Sequence, residues 1–310
     1  MANAQIWIPK RLVELGLLNL AAAQPAAFAQ YCETDYQARI TAGVTNIIHS
    51  GAKVVMLTGP SASGKTTTAH KLSQEMTQRG KRSAVVSLDN FFKNIEDYPR
   101  LPDGTADYES VDALDINTIN RALLSLVKTG KTEVPDFDFC REQRRQGTLQ
   151  IEVGDGIVFI EGIHALNPRL TALLPQHSVY KIYAGMREEY SFQGQRILPT
   201  RDVRLARRMV RDIKFRGHSL EKTLAMWPAV CEGEDKNIKV FKPHADLLFD
   251  TSFSYEVNCL APFVKEFDGG LPKGSKYEAR LHSLCKRFAL CSPVDIGEIP
   301  EDSMLREFLG

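Results

Sequence analysis

An α/β fold, with a parallel five-stranded sheet flanked by helices, is what this 310-residue chain predicts. Three observations carry that reading. Gly59-Pro60-Ser61-Ala62-Ser63-Gly64-Lys65-Thr66 links the β-branched run Val54-Val55-Met56-Leu57-Thr58 to a helical pattern. Further short apolar runs follow, separated by helical segments, as strands covered on both faces read. Two of those runs end in carboxylates, Asp89 and Glu161. In such sheets ligands sit beyond the carboxyl ends of the strands, so a glycine-rich turn and two acids are expected at one edge.

Taken in order, residues 1–51 read as a helical extension. Its second helix is marked by Tyr36, Ile40, Val44 and Ile47 on one face and by a capping box at Thr34 and Gln37. Lys10-Arg11 ahead of an apolar stretch imitates a secretory signal, but Glu14 and Asn19 interrupt it. A packing role is expected for this segment.

Residues 52–255 form the nucleotide domain of a P-loop NTPase. Gly59 to Thr66 fits G-x-x-x-x-G-K-[ST]: the glycines let successive N–H groups face one anion, and the helix N-terminus adds partial positive charge. Lys65 can reach the β- and γ-phosphates, and the Thr66 hydroxyl can ligate Mg²⁺. The following helix carries Ala69, Leu72 and Met76 on one face and stops at Gly80. Strands are expected at Ser83–Asp89, Gly156–Glu161, Val179–Tyr183 and Ala245–Phe249, with a helical stripe at Ile116, Ile119, Leu123 and Leu126 ended by Gly130. Asp89 is the candidate general base, and Asp89 and Glu161 are candidate magnesium organisers.

An arginine-rich lid spans about 187–220. Arg201, Arg204, Arg208 and Arg211 recur at three- and four-residue steps and so line one side of a helix. Beside a phosphate cradle they read as a phosphate clamp. A solvated basic face or a nucleic-acid helix are the alternatives. Residues 256–310 form a helical C-terminal extension around Val257, Leu260 and Val264 and around Leu281, Leu284 and Phe288, broken at Gly269–Gly274. It caps the sheet or forms a contact between copies of the chain.

Composition narrows the function. A net charge of +1, with 25% charged residues, argues against a general nucleic-acid coat or a membrane-surface protein. No apolar run approaches the ~18 residues of a membrane span. The six cysteines lie without metal-site spacing, as in a reduced cytoplasmic protein.

Seven stretches together resemble the uridine kinase and phosphoribulokinase family of P-loop kinases, over about 52–255. They are GPSASGKTT (59–67), SLDNFF (87–92), DYESVDALD (107–115), VPDFDF (134–139), IEGIHAL (160–166), RDVRLARRMVRDIKFRG (201–217) and HAD (244–246). The lid stretch, Trp227–Glu234 and the tail SMLREFLG (303–310) look like a bacterial-type nucleoside kinase-like subgroup. Members of that subgroup often carry a front half similar to part of threonyl-tRNA synthetase, for which this chain is too short.

The resemblance implies ATP and Mg²⁺ and a small-molecule hydroxyl acceptor. It implies that Gly59 to Thr67 and Arg216 bind ATP, that Asp89, Lys65, Arg208 and Arg211 serve catalysis, and that Asp89, Glu109, Phe137 and Arg208 hold the acceptor. Thr66, Asp89 and Glu161 would hold the metal. Three departures touch substrate recognition: Phe137 replaces a pocket tyrosine, Glu142 a base-reading histidine, and His218 an arginine after the lid glycine. A second reading keeps the fold and takes a sugar phosphate, with Arg141, Arg144 and Arg145 as candidate phosphate holders. A nucleotide-dependent RNA-binding or regulatory module is the third.

Overall fold

Parallel pairing of five apolar runs organises the chain. The computed structural model describes residues 9–138 and 143–310. In chain order, β1 (Arg11–Glu14), α1 (Leu15–Ala21) and α2 (Pro25–Ser50) precede β2 (Val54–Thr58), α3 (Lys65–Gln78) and β3 (Ser83–Ser87). Then come α4 (Ile116–Thr129), β4 (Lys131–Asp138), β5 (Gln143–Glu152), β6 (Ile157–Glu161), β7 (Val179–Gly185), β8 (Glu188–Phe192) and β9 (Gln195–Leu198). They are followed by α5 (Thr200–Phe215), α6 (Leu220–Asn237), β10 (Leu247–Asp250), α7 (Glu256–Glu266), α8 (Glu278–Phe288) and α9 (Arg306–Leu309).

The main sheet runs β10-β7-β2-β6-β3, all parallel. Along β2, Val55 and Leu57 join one apolar cluster and Val54 and Met56 the other, so successive side chains enter layers on opposite faces. Register then sets the site. Leu57 stands opposite Glu161, and Glu161 opposite Ser87, so the glycine-rich loop, Glu161 and the turn holding Asp89 leave the sheet at one level.

Local chemistry explains most helix ends. The side chain of Asp115 accepts a hydrogen bond from the Thr118 N–H at the start of α4, and Gly130 ends that helix at φ 69°, a left-handed conformation that favours glycine. In α2, Pro25 occupies the first turn, where an N–H would lack a helical acceptor anyway, and Gly51 closes the helix at φ 70°. This helix runs straight through Thr34 and Gln37, so the expected capping box is absent. Phe28, Ala29 and Cys32 extend the buried face by two turns upstream, and their packing decides where the helix begins. The N-terminal segment also holds a strand that periodicity did not reveal, β1, which pairs in parallel with β8. The second expected strand stops at Ser87, and Asp89 lies in the 3-10 turn Leu88–Phe91.

Apolar packing is continuous across the segment limits read from the sequence. One cluster includes Tyr36, Ile40, Val44 and Ile47 of α2, Phe159 and Ile182 of the sheet, Leu260 of α7, Phe288 of α8 and the tail residues Met304, Phe308 and Leu309. The C-terminal helices therefore pack onto the sheet's helical layer. Among the described residues, no helix is long and apolar enough to cross a membrane. Cys32, Cys231, Cys259, Cys285 and Cys291 are thiols, and Cys140 lies outside the described residues.

A buried ion pair ties α5 to α7: the Arg207 guanidinium donates to Glu256 at 2.6 Å, and both side chains are fully buried. Removing one partner leaves the other charge without compensation. Arg207→Met is expected to cost about 3–5 kcal/mol in urea unfolding. Arg207→Met combined with Glu256→Gln should recover part of that loss, because the stranded carboxylate is gone.

Candidate active site

The glycine-rich loop leaves β2 and enters α3 in a tight path. A Cβ on Gly59 would lie 2.2 Å from the Ala184 carbonyl oxygen, so only glycine allows β7 to approach the loop this closely. Gly64 adopts φ 79° and Ala62 φ 56°. The Ser63 hydroxyl is buried and has no hydrogen-bond partner among the described residues, which leaves an unsatisfied polar atom inside the cradle. Lys65 and Thr66 open α3.

Thr66, Glu161 and Asp89 come together as the sheet register requires. The Thr66 hydroxyl donates to Glu161 Oε2 at 3.1 Å, and Glu161 is only 4% exposed. Asp89 is set deep in the cleft. Burial first, and then the neighbouring Glu161 charge, push its carboxyl up to about 6 against the opposing Lys65 and Arg216. An all-oxygen donor set of one hydroxyl and two close carboxylates suits a hard divalent cation such as magnesium. Two adjacent buried carboxylates also gain from a cation between them.

The arginines of α5 do not form a solvated face. Arg204, Arg207, Arg208 and Arg211 are all buried. Arg204 pairs bidentately with Glu234, its Nη2 lying 2.8 Å from Oε2, and donates from Nη1 to the Ser61 carbonyl at 2.9 Å. Arg207 reaches the Ala62 carbonyl at 3.3 Å. Arg208 donates to the Ser61 hydroxyl at 2.8 Å. Arg201, at the exposed start of the helix, pairs with Asp235 at 2.7 Å. Of the four arginines expected on one face of α5, three are therefore buried and Arg201 stays open to solvent. Amphipathic spacing located the row of arginines, but the acid facing Arg204 comes from α6 and that facing Arg207 from α7, while Arg208 and Arg211 meet Asp212 of α5 itself.

Asp212 gathers the lid arginines. Its carboxylate lies 3.3 Å from Arg208, 2.8 Å from Arg211 and 3.7 Å from Arg216. The sequence reading passed over it, although its place four residues after Arg208 and four before Arg216 was a usable signal. His218 stands 3.9 Å from the same carboxylate.

Burial raises the Glu109 carboxyl, and the Arg208 charge is the largest effect opposing it. Phe137 is 5% exposed and packs on Phe92 at 5.8 Å, continuing through Tyr98 to Tyr108 as an aromatic row. Glu142 and Arg141 lie outside the described residues. Arg144 is engaged by Asp115 at 3.2 Å and by the Phe91 and Phe92 carbonyls, and Arg145 by Asp136 at 3.2 Å. Arg144 thereby ties β5 to the Phe91–Phe92 turn and the cap of α4, and Arg145 pairs within the β4–β5 ribbon.

The C-terminal tail also reaches the loop, which sequence reasoning did not anticipate. Met304 packs so closely on Gly64 that a Cβ there would meet its sulfur at 2.5 Å. The Thr67 hydroxyl donates to Glu307 at 2.5 Å.

The sequence pattern of the Phosphoribulokinase / Uridine kinase family matches residues 54–257. Uridine kinase of Borrelia duttonii is 28% identical over 198 residues, 63% of this chain and 85% of that protein. Uridine-cytidine kinase B of Dictyostelium discoideum is 29% identical over 196 residues, 63% of this chain and 73% of that protein. The solved phosphoribulokinase from Rhodobacter spheroides aligns with a TM-score of 0.44 at 15% identity, covering 66% of this chain and 74% of its own.

The Asp89 carboxyl is open to direct titration. By carboxyl ¹³C NMR of the nucleotide- and metal-free protein it should titrate near pH 6. Glu161→Gln should move that midpoint down, because removing a neighbouring negative charge makes ionisation easier. An unmoved midpoint would mean that the two carboxylates do not face each other.

Proposed function

The chain belongs to the Phosphoribulokinase / Uridine kinase family, and from that premise we propose that it transfers the γ-phosphoryl group of ATP, with Mg²⁺, to a hydroxyl of a nucleoside. At the coarser level it is a kinase with a hydroxyl group of a small metabolite as acceptor. The observation that carries the finer reading is the placement of Asp89. Its carboxylate stands beside Lys65, Glu161 and Arg216 at the edge where the phosphate cradle opens.

In this reading Asp89 accepts the proton of the acceptor hydroxyl and orients its oxygen for in-line attack. Burial raises its proton affinity toward the working range of a general base while leaving it ionised at neutral pH. Gly59 to Thr67 hold the donor's phosphates through backbone N–H groups, and Lys65 and Arg216 neutralise their charge. Arg208 and Arg211, held in place by Asp212, stabilise charge on the transferring group. Thr66, Asp89 and Glu161 would hold a magnesium ion, which would supply positive charge against that of the donor phosphates.

Support for a nucleoside comes from Glu109, an acceptor for paired sugar hydroxyls beside Arg208, and from the aromatic row ending at Phe137. The names of the relatives, uridine kinase and uridine-cytidine kinase B, point the same way. Phe137 offers no hydroxyl to a base, so recognition rests on packing and on the ribose.

An ADP-release assay with ATP and Mg²⁺ against nucleosides, sugar phosphates, polyols and no acceptor tests the reading. Acceleration by uridine or cytidine is the expected result, and silence with every nucleoside would overturn the acceptor. Asp89→Asn should lower kcat by about 10²–10⁴-fold, the usual contribution of a general base, while leaving nucleotide binding measurable by calorimetry. Wild-type turnover in that variant would remove Asp89 from the chemistry.

A further inference from the structure

On the opposite side of the glycine-rich loop from Asp89 and Glu161, a second cavity of about 520 Å³ opens. It lies between the carboxyl end of β7, the β8–β9 hairpin, the start of α5 and the 3-10 segment Lys239–His244. Its volume falls in the range of small-molecule sites.

Cations dominate its walls. Lys10, Arg187, Arg196, Arg201, Lys239 and Lys242 line it, with Arg204 at the loop side, against two lining acids, Glu189 and Asp202. Two of the nearby carboxylates are shared. Glu189 takes both Lys10 at 2.5 Å and Arg196 at 2.9 Å. Asp235 takes both Arg201 and Lys239 at 2.7 Å. Asp202 is engaged by Arg287 at 2.5 Å from outside the cavity. Glu234 serves Arg204. Four lining cations, Lys10, Arg196, Arg201 and Lys239, thus share two carboxylates, and all four border the same half-open cavity.

Lys242 registers the crowding. Its ammonium is pushed down to about 8, first by burial and then by repulsion from Arg187, Lys10 and Lys239. It also sits 5.5 Å from the centre of the Tyr183 ring. Tyr183, Met186, Pro60 and Pro199 add an uncharged wall to the basic one. Converging cations with one carbon-rich wall suit a compact ligand that carries concentrated negative charge on a small organic body.

We propose that this cavity is a second anion-binding site that takes a small phosphorylated metabolite, distinct from the phosphate cradle of Gly59 to Thr66. None of Lys65, Asp89 and Glu161 lines it, so it stands whether or not the acceptor assigned above is correct. Its wall nevertheless includes Pro60 and Arg204, and Arg204 donates to the Ser61 carbonyl, so an anion held here lies one hydrogen bond from the loop.

Calorimetric titration of the full chain with inorganic pyrophosphate, without nucleotide or metal, tests this. Wild type should bind two equivalents. The pair Lys239→Gln and Lys242→Gln should lose one of them, with at least a tenfold weaker second event, and Lys65→Ala should weaken the other while keeping this one. Lys10→Gln, at a half-exposed side chain whose loss does not threaten the fold, should weaken the same event as the lysine pair. Binding that vanishes entirely in Lys65→Ala, or that is unchanged in both cavity variants, would overturn the proposal.

Discussion

Three buried arginine–carboxylate pairs hold the glycine-rich loop in place, and the rest of the site depends on them. Arg204 with Glu234, Arg207 with Glu256, and Arg208 with Asp212 project from α5 to the Ser61 carbonyl, the Ala62 carbonyl and the Ser61 hydroxyl. Buried pairs of this kind add little net stability, because desolvation offsets most of the attraction. Their value here is position. Ala62 sits at φ 56°, a left-handed conformation that costs about 1–2 kcal/mol for a residue with a Cβ. A guanidinium fixed by its own carboxylate can hold that carbonyl where the loop requires it. Of the four arginines read from their spacing as a phosphate clamp, Arg204 and Arg208 also reach the loop.

Charge is distributed along the sheet edge in a consistent order. Carboxylates stand at the β3 and β6 ends, as Asp89 and Glu161. The phosphate cradle occupies the centre at β2. Cations crowd the β7 side, from Arg187 to Lys242. An acceptor hydroxyl that must lose a proton belongs with the carboxylates, and a polyphosphate belongs at the centre. The parallel register makes this order possible, since it brings the ends of neighbouring strands to one level and lets one residue per strand face the cleft. The missing Cβ of Gly59 allows β7 to lie close against the loop, and Arg204, on the cationic side, donates to the Ser61 carbonyl.

Segments outside the strand–loop–helix unit also shape it. Met304 closes on Gly64, Glu307 accepts from Thr67, and the Lys214 ammonium donates to the Leu309 carbonyl at 2.6 Å. Phe308 lies under Arg207, 5.0 Å from the guanidinium carbon to the ring centre. The tail SMLREFLG stood out in the sequence as a subgroup feature, yet its contacts could not be read there, because they join residues 95 to 240 positions apart. Asp212 shows the opposite case. Its spacing from Arg208 and Arg216 was plain, but a carboxylate between arginines reads as an ordinary helix-surface pair until burial shows that it organises three arginines, with His218 beside them.

The sequence by itself determined what is local: the phosphate-cradle motif between a strand and a helix, the five apolar runs, the helix stops near Gly80 and at Gly130, and the carboxylates near two strand ends. Each depends on neighbours within a few residues, through backbone conformation, capping or periodic burial. Tertiary structure alone decided which arginines meet which acids, that Arg144 and Arg145 belong to the β4–β5 ribbon, and that β1 pairs with β8 in a strand hidden from periodicity. Those outcomes follow from pairing between distant parts of the chain. A guanidinium has the same local signature whether it faces water, a phosphate or a buried carboxylate, and only the fold supplies the partner.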